Sequence, residues 1–179
     1  QISVTKHWRP FSCRQWMNPF NQMARFLRDR CFNHVYLQAI EKGSLDFPFP
    51  LTVLKEIRDL CGPIEGLKGT LDYLAINYYA REICEFRWQW PFDFFGQESD
   101  YREFKTNDLG WEIWPEGLYF LLTEDLAPYR YDSSGNRRKI FITENGYASR
   151  YEANLDEGDW SLADRERSMY LVSHLMAVY

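Results

Sequence analysis

Three groups of residues have types and spacing that could do chemistry. Glu144 closes the apolar run Ile140-Phe141-Ile142-Thr143 and is followed by Asn145-Gly146. A carboxylate at the C-terminal end of a buried parallel strand stands where α/β barrels carry catalytic groups, and there it can act as nucleophile, acid or base. The same residues admit a plainer role. Asn-Gly is a strong hairpin-turn signal, so Glu144 could equally be a solvated turn residue between strands at 140–143 and 147–151. Asn77, Tyr78 and Tyr79 end a second apolar run, residues 71–79. Strand alternation sets Asn77 and Tyr79 on one face and Tyr78 on the other. Asn77 and Tyr79 then either hold a polar ligand and orient a carboxylate, or they are hydrogen-bonded core residues. Trp111 and Trp114 flank Glu112, and Trp88 and Trp90 precede a long aperiodic segment. Flat indoles suit the C–H face of a sugar ring and serve equally well as packing. His7-Trp8 is a weaker signal, and His34 and His174, inside helical runs, read as structural.

These groups need elements to position them. Ile2-Ser3-Val4-Thr5 alternates apolar and polar residues as a strand does, and 71–79 and 140–144 read as strands buried on both faces. Asn18 and Pro19 are a cap and first-turn pair for a helix whose apolar period runs through Phe26 and Val35 to Ile40 and ends at Gly43. Residues 52–60 give a shorter helix stopped by Gly62-Pro63. Pro115-Glu116 begins another helix, and 161–178 a last one. Asp132 to Asn136 is a turn cluster, and 91–109, without a period, reads as a loop overhanging a site. Strand and helix alternate three times, so the expected class is α/β with parallel strands and helical crossovers, in one domain.

Composition narrows the partners. Lys+Arg of 21 against Asp+Glu of 26, with no basic run, argues against a nucleic-acid partner. No stretch is apolar for the roughly 18 residues a spanning helix needs, and residues 1–10 show no secretory pattern, so no membrane is expected and a cytoplasmic setting is favoured. The four cysteines form no C-x-x-C pair and the three histidines no ligand spacing, so packed, reduced thiols and no metal are expected. Aromatic residues are 18% of the chain, more than closing a core of this size requires, which points to rings lining a binding surface. Both ends look cut: Gln1 opens into a strand, and the last helix reaches Tyr179 without a capping residue.

Three segments together resemble the C-terminal half of family 1 glycoside hydrolases, the β-glucosidase and 6-phospho-β-glucosidase type. They are Leu71-Asp72-Tyr73-Leu74-Ala75-Ile76-Asn77-Tyr78-Tyr79, Asp108-Leu109-Gly110-Trp111-Glu112-Ile113-Trp114-Pro115-Glu116-Gly117-Leu118-Tyr119, and Ile140-Phe141-Ile142-Thr143-Glu144-Asn145-Gly146, the last similar to the family's nucleophile signature. The likeness extends over most of the chain, least clearly over 13–60. It implies a partial (β/α)₈ TIM barrel in which residues 1–5, 71–79 and 140–144 supply strands 5 to 7, so that 1–179 is a single incomplete catalytic domain. It implies Glu144 as nucleophile, Tyr79 as donor of a hydrogen bond to it, Asn77 lining the sugar site and Trp111 facing the leaving group. The implied activity is a retaining β-glycosidase acting on β-glucoside-like substrates without metal or organic cofactor. The family's Asn-Glu-Pro acid/base motif occurs nowhere in the 179 residues, so the second carboxyl group and the rest of the barrel are expected from outside this chain. A non-catalytic carbohydrate-binding module and a degenerate pseudoenzyme fragment are the alternatives.

Overall fold

The computed structural model describes residues 2–87, 96–98, 104–149 and 160–179. Trp88, Trp90 and most of the expected overhanging loop lie outside these residues. The elements run β1 (Thr5–Trp8), β2 (Phe11–Cys13), α1 (Pro19–Asp29), α2 (Val35–Lys42), β3 (Ser44–Leu45), α3 (Lys55–Arg58), β4 (Gly62–Pro63), β5 (Leu74–Tyr78), β6 (Glu82–Glu85), β7 (Gln97–Glu98), α4 (Glu116–Phe120), β8 (Ile140–Glu144) and α5 (Trp160–Val178). The main sheet has the order β1-β5-β8 with both pairings parallel, and helices fill the crossovers, as the α/β reading requires. A second sheet, β2-β6-β7, extends beyond the C-terminal ends of β1 and β5.

Local sequence explains where most of these elements begin and end. The Asn18 side chain accepts from the Phe20 amide at 3.0 Å with Pro19 in the first turn, and Gly43 closes α2 in the left-handed region at φ 75°. The helix expected to run unbroken between them is interrupted by a π-turn at Arg30–His34. The wider turn aims two polar side chains inward. Asn33 accepts from the Arg9 amide at 3.1 Å and donates to the Arg9 carbonyl at 2.7 Å. His34 meets the Tyr129 hydroxyl at 2.7 Å and the Asp29 carboxylate at 3.2 Å. The backbone just past β1 is satisfied by this break.

The first strand starts later than the alternation at 2–5 indicated, at Thr5. The backbones of Ile2 and Asp72 do bond, at 3.0 Å, and Ser3 Oγ donates to the Tyr73 carbonyl at 2.6 Å, but the regular ladder begins only with the pair Thr5–Ala75. The expected helix at 52–60 is a 3₁₀ turn at Leu51–Val53 followed by the single turn α3.

β5 is the centre of the molecule. Trp8, Leu74, Ile76 and Tyr78 are at most 1% exposed and pack beneath Leu37 and Ile40 of α2 and Leu118 and Leu121 of the α4 region. Tyr78 Oη donates to the Trp114 carbonyl at 2.6 Å. Gly117 makes this close approach workable: a Cβ there would lie 2.2 Å from Tyr78 Oη and 2.3 Å from the Trp114 ring, so α4 can dock against β5 only through a residue without a side chain. On the other face of the sheet Thr5 and Phe141, which flank Ala75 in register, are exposed. Phe141 is 49% exposed, and among the described residues neither β1 nor β8 has a second strand neighbour. No helix among the described residues is long and apolar enough to cross a membrane.

Candidate active site

The parallel register aligns three side chains across the C-terminal rim of the sheet. His7 lies opposite Asn77, and Asn77 opposite Glu144. The second match depends on a bulge. Pairing runs Leu74 to Ile140, Ala75 to Phe141 and Ile76 to Ile142, and then skips Thr143 to set Asn77 against Glu144. In a regular strand Glu144 would share the face of Ile140 and Ile142, which pack on the core; the extra residue brings it to the face of Asn77. Thr143 is used locally, its hydroxyl donating to Asn77 Oδ1 at 2.6 Å.

Tyr79, one residue past β5, donates its hydroxyl to Glu144 Oε2. The tyrosine ring is itself held, edge-on against His7 with centroids 5.6 Å apart and tilted against Trp111 at the same separation. Asn77, Tyr79, Trp111 and Glu144, the residues singled out from sequence, therefore meet at one rim, and His7 joins them. The hairpin alternative for Glu144 does not form. Neither Asn145 nor Gly146 adopts the positive φ that the tight turn needs, and β8 pairs in parallel with β5. Asn145 turns inward instead, donating to the Tyr78 carbonyl at 2.9 Å and to Tyr170 Oη at 3.2 Å, and Tyr170 donates onward to the Tyr79 carbonyl at 2.9 Å. The backbones behind Tyr79 and Glu144 are thus tied to each other and to α5.

Asn107 fixes Trp111 and Glu112 anchors the segment around Trp114, roles that sequence reasoning assigned to neither. Asn107 Oδ1 accepts from the amides of Leu109 and Trp111, each at 3.0 Å, in a turn that Gly110 completes at φ 79°. Glu112 is 4% exposed and takes a bidentate bond from Arg81 at 2.6 and 2.9 Å, and the guanidinium lies over the Trp114 ring at 4.4 Å. Trp114 therefore serves packing. The Asn-Asp-Leu-Gly sequence of the turn was a readable signal for Asn107; nothing local announces a partner for Glu112 thirty-one positions away. His34 and His174 have the structural roles expected of them, the latter 1% exposed with Nδ1 at 2.8 Å from the Tyr170 carbonyl. Among the described residues no three His, Cys, Asp or Glu side chains assemble as a metal site would.

The electrostatics follow from the contacts. Donation to the Glu144 carboxylate holds the Tyr79 phenol above its ordinary value, with partial burial and the nearby negative charge adding to the effect. His7 is held below its ordinary value by burial and by the cations Arg9 and Lys6, which outweigh the opposing pull of Glu144, so the neutral imidazole is favoured at neutral pH. Because the raised value belongs to the folded state, the Tyr79 contribution to stability is complete below the unfolded phenol's pKa of about 10 and is lost as pH rises through the folded value. Difference absorbance titration of the protein against its Tyr79→Phe variant isolates this phenol. The same subtraction made on a Glu144→Gln background should show its midpoint moved down toward 10, and an unmoved midpoint would mean that the two groups are not bonded.

The profile of glycosyl hydrolase family 1 matches residues 31–179. The chain belongs to that family. Among relatives, the β-galactosidase of Saccharolobus solfataricus is 32% identical over 123 residues, 64% of this chain and 21% of that protein. The 1,4-β-D-glucan glucohydrolase of Thermotoga neapolitana is 28% identical over 163 residues, 87% of this chain and 34% of the relative. This family 1 chain thus spans between about a fifth and a third of the length of these relatives. Among solved structures, a β-glucosidase from Exiguobacterium marinum superposes with a TM-score of 0.72 at 24% identity, covering 97% of this chain and 37% of that one. At that identity the likeness shows the fold, the parallel strands and helices of the family 1 TIM-barrel enzymes.

Proposed function

We propose that the chain forms strands 5 to 7 of a (β/α)₈ barrel, with their helices, in a retaining β-glycosidase, and that it contributes the nucleophile. Glu144 attacks the anomeric carbon of a β-glucoside-like substrate to form a covalent glycosyl-enzyme. A carboxyl group from the rest of the barrel protonates the departing oxygen and then activates the water that releases the sugar. The observation that carries this reading is the hydroxyl bond from Tyr79 to Glu144 at the rim where His7, Asn77 and Glu144 align. A phenol donating to one carboxylate oxygen leaves the other free to face a substrate, as a nucleophile requires. Asn77 supplies a side-chain amide for sugar hydroxyls, and Trp111 an aromatic wall on the leaving-group side.

Family membership supports the glycosidase class, and the outer positions of β1 and β8 in the sheet fit a domain completed by further strands. The acid/base group, the sugar-binding residues of the amino-terminal half and the eighth-strand segment would then come from outside residues 1–179. Incubating the full-length protein with a 2-deoxy-2-fluoro-β-glucoside carrying a good leaving group should trap the glycosyl-enzyme. Peptide mapping should find the sugar on Glu144, and a label on any other carboxylate would remove the assignment.

A further inference from the structure

We propose that Cys13 and Cys84 form a redox-sensitive cross-strand dithiol, which an external disulfide of the glutathione class closes into an intramolecular bond clasping β2 to β6. The two residues are direct partners in the parallel β2–β6 ladder, although 71 positions separate them in sequence. Neighbouring strands run about 4.8 Å apart, inside the Cα separation of about 4.4–6.8 Å that disulfides span. Residues directly opposite in a ladder point to the same face, so no backbone rearrangement is needed to turn one sulfur toward the other. The Cys84 thiol already leans across β2, donating to the Ser12 carbonyl at 3.2 Å.

The two thiols are unequally accessible, and this orders the reaction. Cys84 is 0% exposed, whereas Cys13 is partly open to solvent. Burial pushes the Cys84 thiol up to about 11 and raises Cys13 as well, while Arg25 pulls both back toward the thiolate. Both are therefore protonated and quiet at neutral pH until an oxidant arrives. The Cys13 thiolate attacks one sulfur of glutathione disulfide, forming a mixed disulfide and releasing one glutathione thiolate. The Cys84 thiolate then attacks the Cys13 sulfur and displaces the second glutathione. Two protein thiols are oxidised by two electrons, one glutathione disulfide is reduced to two glutathiones, and the two protons pass to those leaving groups. Cys61 in its turn beyond α3, bonded to the Ile57 carbonyl at 3.4 Å, and Cys31 in the π-turn have no such partner in register.

The test is incubation of the full-length protein with glutathione disulfide, followed by alkylation under denaturing conditions and peptide mapping. The expected product is a Cys13–Cys84 cross-linked peptide, with both cysteines lost to alkylation and recovered after reduction. Its rate of formation should rise about tenfold per pH unit below the Cys13 pKa. Cys84→Ser should stall with one glutathione retained on Cys13, and Cys13→Ser should protect Cys84 altogether. Closing so long a loop should also raise the melting temperature by several degrees, reversibly. A wild-type protein that keeps glutathione on Cys13, a cross-link to Cys31 or Cys61, or two thiols still unmodified at alkaline pH would each overturn the proposal.

Discussion

Replacing Glu144 by alanine in the complete protein is expected to lower kcat on an aryl β-glucoside by about 10⁵-fold, roughly 7 kcal/mol of transition-state stabilisation. A loss of this size is characteristic of removing the group that makes the covalent bond, because orientation and the remaining hydrogen bonds supply only the residue of the rate. The fold should tolerate the change. Glu144 is exposed, and its strand is held by β5 and by the Asn145 bonds to Tyr78 and Tyr170. The vacated space then gives a second, more discriminating readout. Azide should enter where the carboxylate stood and attack the anomeric carbon from that face in a single displacement, restoring turnover and giving a glycosyl azide of inverted configuration. A Glu144→Ala protein that keeps most of its activity, or one that azide rescues with retention of configuration, would show that the carboxylate is not the attacking group.

The second large effect concerns stability. Glu112→Ala should cost about 3–5 kcal/mol, read as a fall in the urea midpoint at unchanged slope. The Glu112 side chain is 5% exposed and that of Arg81 18%, so truncation removes the bidentate acceptor from a guanidinium that stays against the Trp114 ring. Glu112→Gln preserves the shape and one acceptor and should lose clearly less. The pair lies immediately next to Trp111 in sequence, and Arg81 follows Tyr79 by two residues. The alanine variant should therefore also raise KM for aryl glycosides more than it lowers kcat. An unchanged midpoint would place the pair among surface ion pairs, which are worth little.

How much of this was legible beforehand depended on how local the signal was. The strand Ile140–Glu144 has the boundaries its apolar run indicated, and Asn18, Pro19 and Gly43 do the capping their chemistry allows, because each acts within a few residues of itself. The likeness of three short segments to family 1 was sound, and the family profile covers all three in full. What periodicity missed was set by distant partners. The π-turn at Arg30–His34 exists because Arg9 and Tyr129 need Asn33 and His34, and nothing inside the helix records that need. β2 and β6 are three and four residues long, too short to carry a pattern. Strand alternation offered Tyr79 as orienting a carboxylate, but that the carboxylate is Glu144, 65 positions away, came only from resemblance, since an alternation of two would have turned Glu144 toward the core.

That last point reaches beyond this chain. The bearing of Glu144 is decided by counting rather than by chemical character: one unmatched threonine reverses the parity of everything after it. Exchanging side chains along Ile140–Glu144 leaves the carboxylate aimed where it is, whereas pairing Thr143 with Asn77 in a regular ladder would swing it behind the sheet, into the greasy layer beneath α2. An engineer who grafted the pentapeptide into a regular strand of another parallel sheet would carry over the glutamate and lose its direction.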